Sequence, residues 1–295
     1  MSNDQPLLEK PTLNSAEVLR IKQLAHVCET YEDLHISIPW SSLLRRPGET
    51  INDFLYYADG ELVGYLSLND IDPVINEITG MVHPAYRRRG IFRRLLRAAQ
   101  RECLSRGEER IVLTCEHTSR SGLAFMQALP VEHMVSEYEM VLTDFRERQS
   151  FDERLTFHKA ESSDLTTIVK IQSASFQTPE HATARRVLYH AQDPHRAYYL
   201  FTYGEEGTGC REPVGSMRLD HGDETVGIFA VGILPGYQGR SYGRQMLEEA
   251  IRIIRSYSQK PIFLFVNIEN TRAVKLYRSC GFAIKTTYDY YLLDL

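Results

Sequence analysis

Shifting the chain against itself by 151 residues brings it into register without a gap. ELVGYLSL (61–68) falls on EPVGSMRL (212–219), so Val63, Gly64 and Leu68 meet Val214, Gly215 and Leu219. HPAYRRRGIFRRLL (83–96) falls on LPGYQGRSYGRQML (234–247), aligning Pro84, Tyr86, Arg89, Arg93 and Leu96 with Pro235, Tyr237, Arg240, Arg244 and Leu247. The same shift joins RIVLTC (110–115) to PIFLFV (261–266) and YEMVL (138–142) to DYYLL (289–293). A constant offset over this length means one fold written twice. The joint is expected in TDFRERQSFDER (143–154), giving domains 1–148 and 149–295. A chain of 295 residues has room for two such domains.

Each copy carries the same order of signals, clearest in the second. An apolar-periodic helix is expected over 164–175, then a hairpin of AYYLFTY (197–203) and PVGSMRL (213–219) around GEEGTG (204–209). The stretch VGIFAVGI (226–233) reads as a strand ending at Pro235. Tyr242, Met246, Leu247, Ala250, Ile251 and Ile254 then share one helical face. A buried strand (261–266), a short helix over NTRAVKLYRSC and a final aromatic strand (286–295) complete the copy. The expected class is α+β.

Two loops stand at the strand-to-helix junctions, YRRRGIFRRLL and YQGRSYGRQML. A helix start carries unpaired N–H groups and the positive end of the helix dipole, and so attracts anions, phosphate above all. Glycine admits an oxygen close to the backbone, and arginine adds a bidentate charge. A strand-to-helix turn with Gly and Arg is common, but two at the same offset are less so. Eight arginines between Arg87 and Arg106 make the first copy's helix basic, which a solvated face explains as readily as a ligand.

The remaining composition narrows the field. There is no phosphate loop ending in Gly-Lys-Ser/Thr, no His-Glu-x-x-His and no Gly-x-Ser-x-Gly. The cysteines Cys28, Cys103, Cys115, Cys210 and Cys280 are dispersed and lack CxxC spacing, so we expect reduced thiols and no metal. A net charge of −5 argues against general nucleic-acid binding. With no run of 18 apolar residues and no signal pattern in 1–12, we expect no membrane association and a cytoplasmic protein.

VGILPGYQGRSYGRQML followed by VNIENTRAVKLYRSCGF resembles the two signature segments of the GNAT superfamily of acyl-CoA-dependent N-acetyltransferases. Q/R-x-x-G-x-G/A falls on Gln238–Gly243 and on Arg87–Phe92, and N-x-x-A-x-x-L-Y-x-x-x-G-F falls on Asn270–Phe282. The tandem arrangement is similar to that of mycothiol synthase. The resemblance implies two folds, each a mixed, mostly antiparallel sheet with helices on both faces and a splayed pair of parallel strands. It implies acetyl-CoA as cosubstrate, its arm along Val231 and Ile233 and its pyrophosphate at the N–H groups of Gly239, Arg240, Ser241, Tyr242, Gly243 and Arg244. It implies further that Asn270 faces the cofactor and that Tyr277 stands near the thioester sulfur. In the first copy, Arg87, Arg88, Arg89, Gly90, Ile91 and Phe92 form the corresponding loop.

Acetyl transfer needs a neutral amine, and deprotonating a group of pKa ~10.4 at pH 7 costs about 4.6 kcal/mol. A carboxylate, or water leading to one, would take that proton, and a tyrosine hydroxyl would return one to the departing thiolate. Tyr277 is either that acid or a core aromatic beside Ala273 and Leu276. The ungapped offset sets it against Met126, Asn270 against Ser119, Gly281 against Pro130 and Phe282 against Val131, so the first copy has lost the second signature. Each phosphate loop departs once, at Ser241 and at Phe92. For the base, Glu224 ranks ahead of Asp223 and His221. Glu77, which the offset pairs with Ile228, is the candidate if the first copy is the active one. The expected acceptor is a small-molecule or peptide amine, and the expected protein a monomer or homodimer. Other readings are a silent acyl-CoA-binding module and a tRNA-dependent aminoacyl transferase, the latter disfavoured by the charge and the CoA loop.

Overall fold

The computed structural model describes residues 6–72, 75–148, 152–204 and 211–295. Cys210 and most of the 204–209 loop lie outside them. Two compact units emerge, one comprising 1–137 with 286–295 and the other 138–285. This departs from the expected division at 148/149: the C-terminal strand completes the first unit.

In the first unit the elements are β1 (Leu7–Lys10), α1 (Ser15–Glu32), α2 (Trp40–Leu43), β2 (Asp53–Ala58), β3 (Glu61–Asp72), β4 (Ile75–Val82), α3 (Ile91–Ser105), β5 (Arg110–Glu116) and α4 (Arg120–Met126). Strand β6 (Glu132–Leu142) crosses the boundary between units. The second unit holds β7 (Leu155–Lys159), α5 (Leu165–Phe176), α6 (Glu180–Ala191), β8 (Arg196–Tyr203), β9 (Glu212–His221), β10 (Val226–Ile233), α7 (Tyr242–Tyr257), β11 (Ile262–Asn267) and α8 (Thr271–Cys280). Strand β12 (Phe282–Asp294) ends the chain. Its outer part runs antiparallel to β5, from Tyr288 opposite Glu116 to Asp294 opposite Arg110.

Each unit has the layered α+β architecture expected. Strands β1 to β4 are antiparallel neighbours and β4 meets β5 in parallel; β7 to β10 repeat the pattern and β10 meets β11 in parallel. Helices cover both faces. In the second unit the α7 stripe of Met246, Leu247, Ala250, Ile251 and Ile254 is fully buried with the even residues of β11, Ile262, Leu264 and Val266. Burying each such side chain is worth roughly 1.5–3 kcal/mol. Ile168 and Ile171 of α5 and Val187 of α6 bury against Tyr198 and Leu200 on the other face. In the first unit α3 and α1 divide the two faces in the same way. Helix α1 is started by a reciprocal cap, the Asn14 side chain taking the N–H of Glu17 while the Glu17 carboxylate takes that of Asn14. No helix among the described residues is long and apolar enough to cross a membrane. Cys28, Cys103, Cys115 and Cys280 are free and buried.

Candidate functional site

The parallel strand pairs set the site. β10 and β11 pair only at Val226–Ile262 and Gly227–Phe263, and β4 and β5 only from Asn76–Ile111 to Ile78–Leu113. Beyond those pairs the strands part, in both copies. Past the fork the copies differ. On β10 the register to β9 runs from Phe229 opposite Arg218 to Gly232 opposite Ser216, three steps against two, so β10 carries one extra residue. Ala230 takes a positive φ of 50° there. Ala230 and Val231 thus have no register partner on either neighbouring strand. On β4 the register to β3 is unbroken from Ile78–Leu68 to Val82–Gly64.

The extra residue also corrects the alignment. Glu77 pairs with Val112 and Gly227 with Phe263, so the counterpart of Glu77 is Gly227 and not Ile228. Ile78 and Ile228 match instead, both buried on the face of the long helix. One residue fewer before β10 cancels the bulge, which hides both from an ungapped comparison.

The two strand-to-helix loops match atom for atom. Gln238 Nε2 donates to the Ile233 carbonyl at 2.9 Å, and Arg87 Nε to the Val82 carbonyl at 3.1 Å. Arg240 Nη2 donates to the Gly236 carbonyl at 3.2 Å with its guanidinium over Tyr237; Arg89 does the same with Ala85 and Tyr86. Gly239 and Ser241 have φ of 82° and 64°, and Arg88 and Gly90 of 65° and 77°. Each loop thus needs two left-handed residues and has glycine at one. Ile91 and Tyr242 anchor the helix starts in the core, and neither helix has a side-chain cap, so the first N–H groups remain available to an anion.

Several expected ligands serve as braces. The side chains of Gln238 and Arg87 tie loop to strand, and Arg87 also pairs with Glu32 and lies over Tyr31. Arg244 is buried, bonded to Glu248, to Ser279 Oγ at 2.8 Å and to the Arg146 carbonyl at 2.7 Å, and its N–H goes to Ser241. Asn270 caps α8 by accepting the N–H of Ala273 at 3.1 Å, the service Ser119 gives α4 through Gly122. Two cations that local motifs do not reveal come to the second loop: Arg148 Nη1 donates to Ser241 Oγ at 3.4 Å and Arg272 Nη1 to Gln238 Oε1 at 2.9 Å. They are 93 and 34 residues away in the chain.

Space beside the loops differs as well. A Cβ on Gly243 would meet only Leu276 and Ile233, at 3.5 and 3.8 Å, and one on Gly239 nothing within 4 Å. In the first copy Phe92 takes the Gly243 place. Its ring stands edge-on to Phe125 at 4.8 Å and lies 2.9 Å from where a Gly80 Cβ would be. Aromatic rings thus fill the first copy's corridor beside the splayed strand.

Tyr277 lies on the buried face of α8 with Val274 and Cys280, its ring 6.2 Å from that of Phe282. It is 7% exposed. Burial, with a smaller push from Cys280, raises its pKa to about 12. Gly281 ends α8 at φ 102°, where an added Cβ would fall 1.5 Å from the Asp144 carbonyl oxygen, so the Gly-Phe of the signature is a packing requirement. Glu224 is exposed in the turn before β10. Six steps along the chain, roughly 20 Å when extended, separate it from Ala230, too far for direct proton transfer. Glu77 is partly accessible yet encircled by protein; Thr114 Oγ1 donates to it at 2.5 Å, and burial followed by the nearby Glu137 raises it to about 7.

The model of the acetyltransferase (GNAT) family matches residues 18–129 and 165–282, once in each unit. A mycothiol acetyltransferase of Streptomyces scabiei is 25% identical over 252 residues, covering 82% of this chain and 79% of its own. One of Amycolatopsis mediterranei is 26% identical over 244 residues, 76% and 78% of the two chains. Among solved structures, a GCN5-related N-acetyltransferase from Sphaerobacter thermophilus superposes with a TM-score of 0.76 at 18% identity, over 98% of this chain and 96% of that one. A tandem GNAT protein from the clavulanic acid biosynthesis pathway gives 0.67 at 13% identity, over 98% of both. With the family's pattern present in both halves, the chain belongs to the acetyltransferase (GNAT) family of acetyl-CoA-dependent N-acetyltransferases, as a tandem pair.

Proposed function

We propose that the second unit transfers acetyl to a primary amine by direct attack, and that the first unit is a scaffold without turnover. The observation that carries this reading is the bulge at Ala230–Val231, present in β10 and absent from β4. The second loop fits acetyl-CoA: open space at Gly239 and Gly243, uncapped N–H groups at the start of α7, and the cations Arg240, Arg148 and Arg272 close by. The first loop has Phe92 and Phe125 in the corresponding space.

When bound, acetyl-CoA supplies the thioester carbon to which the amine nitrogen bonds as the C–S bond breaks and sulfur leaves with the electron pair. The N–H groups of Ala230 and Val231 are the donors for the oxygen that gains negative charge. Tyr277 keeps its proton through neutral pH because burial raises its pKa, and it is the donor for the departing thiolate; the proton that nitrogen loses on becoming an amide passes through water and restores the hydroxyl. Its hydroxyl has no hydrogen-bond partner among the described residues, so it is not committed elsewhere. Arg244 and Asn270 hold the frame.

Glu77 favours a second reading, because a carboxyl near pKa 7 is well matched to a general base. The unbroken β4 and the Phe92 ring weigh against transfer in that unit. CoA release with an amine panel that includes the acceptor of the mycothiol acetyltransferases separates the readings. Tyr277→Phe is expected to lower kcat by about 10²-fold or more. Gly243→Phe is expected to abolish acetyl-CoA binding, and Glu77→Gln to change neither. Unaltered turnover in Tyr277→Phe removes the acid role; loss in Glu77→Gln with an active Gly243→Phe moves the chemistry to the first unit. Calorimetric binding of acetyl-CoA without turnover of any amine would leave a binding module.

A further inference from the structure

We infer that the acceptor amine carries an apolar group, aromatic or branched aliphatic, close to its nitrogen, and that this group sits on Phe229, Phe263 and Phe265. The inference rests on acetyl transfer by the second unit and adds the chemistry of the acceptor. The three rings form one cluster, with centroids 5.8 Å apart for Phe229–Phe263, 6.4 Å for Phe229–Phe265 and 5.7 Å for Phe263–Phe265. All three are only half-buried. They occupy the odd positions of β10 and β11, on the face away from α7 and shared with α5.

Their placement ties them to the reaction. Phe229 is the residue at which β10 leaves register with β9, Phe263 the last residue of β11 to pair with β10, and Phe265 the next on that face where the strands have parted. Gly227 makes the arrangement possible: a Cβ there would lie 2.2 Å from the Phe229 ring and 3.0 Å from that of Phe263. Phe176, 46% exposed at the end of α5, comes within 3.5 Å of a Cβ placed on Gly232 and adds a ring on the far side of the bulge.

The other copy shows that the fold does not require this. At the places of Gly227, Phe229, Phe263 and Phe265 the first unit has Glu77, Thr79, Val112 and Thr114. A carboxyl, two hydroxyls and a valine there correspond to a glycine and three phenyl rings here. One side of the Phe229 ring is already covered: the Arg218 guanidinium lies over it, 4.9 Å from the centroid, held there by two bonds to Asp220. Partly solvated apolar rings beside a reaction locus are stabilised by a ligand that removes water from them. Under α5 the site also has polar atoms without protein partners, Gln172 Nε2 on a side chain 4% exposed and Ser216 Oγ on one fully buried. Ser216 is the register partner of Gly232. These atoms give an oxygen of the acceptor, or a water beside it, something to bind.

The test compares kcat/KM for phenethylamine, isoamylamine, ethanolamine, putrescine and glucosamine. Phenethylamine and isoamylamine are expected to exceed the polar amines by at least about tenfold, the scale at which an apolar pocket discriminates. Phe229→Thr and Phe265→Thr install the first copy's residues at half-buried places. Each is expected to raise KM for phenethylamine about tenfold and to lower ethanolamine turnover by a clearly smaller factor, with the KM for acetyl-CoA reporting that the second unit remains folded. Turnover with no preference, or with equal losses on polar and apolar amines in the variants, overturns this inference and leaves acetyl transfer standing. Turnover of no amine, with acetyl-CoA bound, overturns both.

Discussion

Replacing Glu77 by Gln should make the first unit more stable at alkaline pH and leave it nearly unaffected near pH 5. Glu77 is partly accessible but encircled, accepts one hydrogen bond from Thr114, and shares its surroundings with Glu137, itself raised by burial. Its pKa is about 7 in the fold against 4.5 outside it. The fold therefore holds the proton more tightly than the unfolded chain does. The stabilisation from that proton is complete below pH ~4.5 and is lost as pH rises through about 7. Two and a half pKa units at 1.36 kcal/mol each give an upper bound near 3.4 kcal/mol. Solvent access at the carboxyl lowers the expected effect to about 2 kcal/mol between pH ~5 and ~8.5. Gln keeps an acceptor for Thr114 and has no charge to desolvate. Hydrogen exchange followed in peptides covering β4 and β5 reads the first unit separately, which a global melt of a two-unit protein does not. A Glu77→Gln advantage that stays constant from pH ~5 to ~8.5 would refute the reasoning, because it would mean Glu77 titrates alike in both states.

Two further outcomes rest on the backbone. Ser241→Gly and Arg88→Gly relieve left-handed φ values of 64° and 65°, and each should stabilise its unit by about 0.5–1 kcal/mol, seen as greater hydrogen-exchange protection of that unit. Gly281→Ala places a methyl against the Asp144 carbonyl at a positive φ and should cost more than about 4 kcal/mol, detected as loss of the second unit's exchange protection.

The duplication was legible as a constant offset, and most elements of the second copy as periodicity, which is local; α6 (Glu180–Ala191) and β7 (Leu155–Lys159) were not read. Helix α7 shows its six-residue stripe whatever it meets. What was not legible depends on partners. YEMVL and DYYLL are equally good alternating strands, and nothing in either says which unit it completes; the chain closes its first unit with the strand written last. The bulge was hidden by cancellation, one residue gained on β10 and one lost before it, so that Glu77 was set against Ile228 when its counterpart is Gly227. Asn270 carried a motif's weight but does a capping residue's work, as Ser119 shows by doing the same in a copy without the motif. Arg148 and Arg272 reach the loop through tertiary structure alone, and no spacing rule would find them.

Neither copy has the whole machinery: β4 has the carboxylate without the bulge, and β10 has the bulge with glycine at the carboxylate's place. Transfer on the second unit, as proposed, would therefore meet an ammonium with no adjacent base on β10, and the charge would have to be lost in another way. The phenyl floor offers one. Seating the apolar group on the half-buried rings draws the ammonium beside it out of water, which lowers its pKa, and each unit of lowering recovers 1.36 kcal/mol of the roughly 4.6 that deprotonation costs at pH 7. The amine would then arrive neutral, its proton released to water before or during entry. In that case the acid limb of kcat/KM tracks the acceptor, moving to lower pH by about one unit for each unit drop in amine pKa along a series of ring-substituted benzylamines. Tyr277 contributes no alkaline limb below about pH 12. An acid limb that stays at one pH for every amine would instead report a titrating group of the protein, and the aromatic floor would then serve affinity alone.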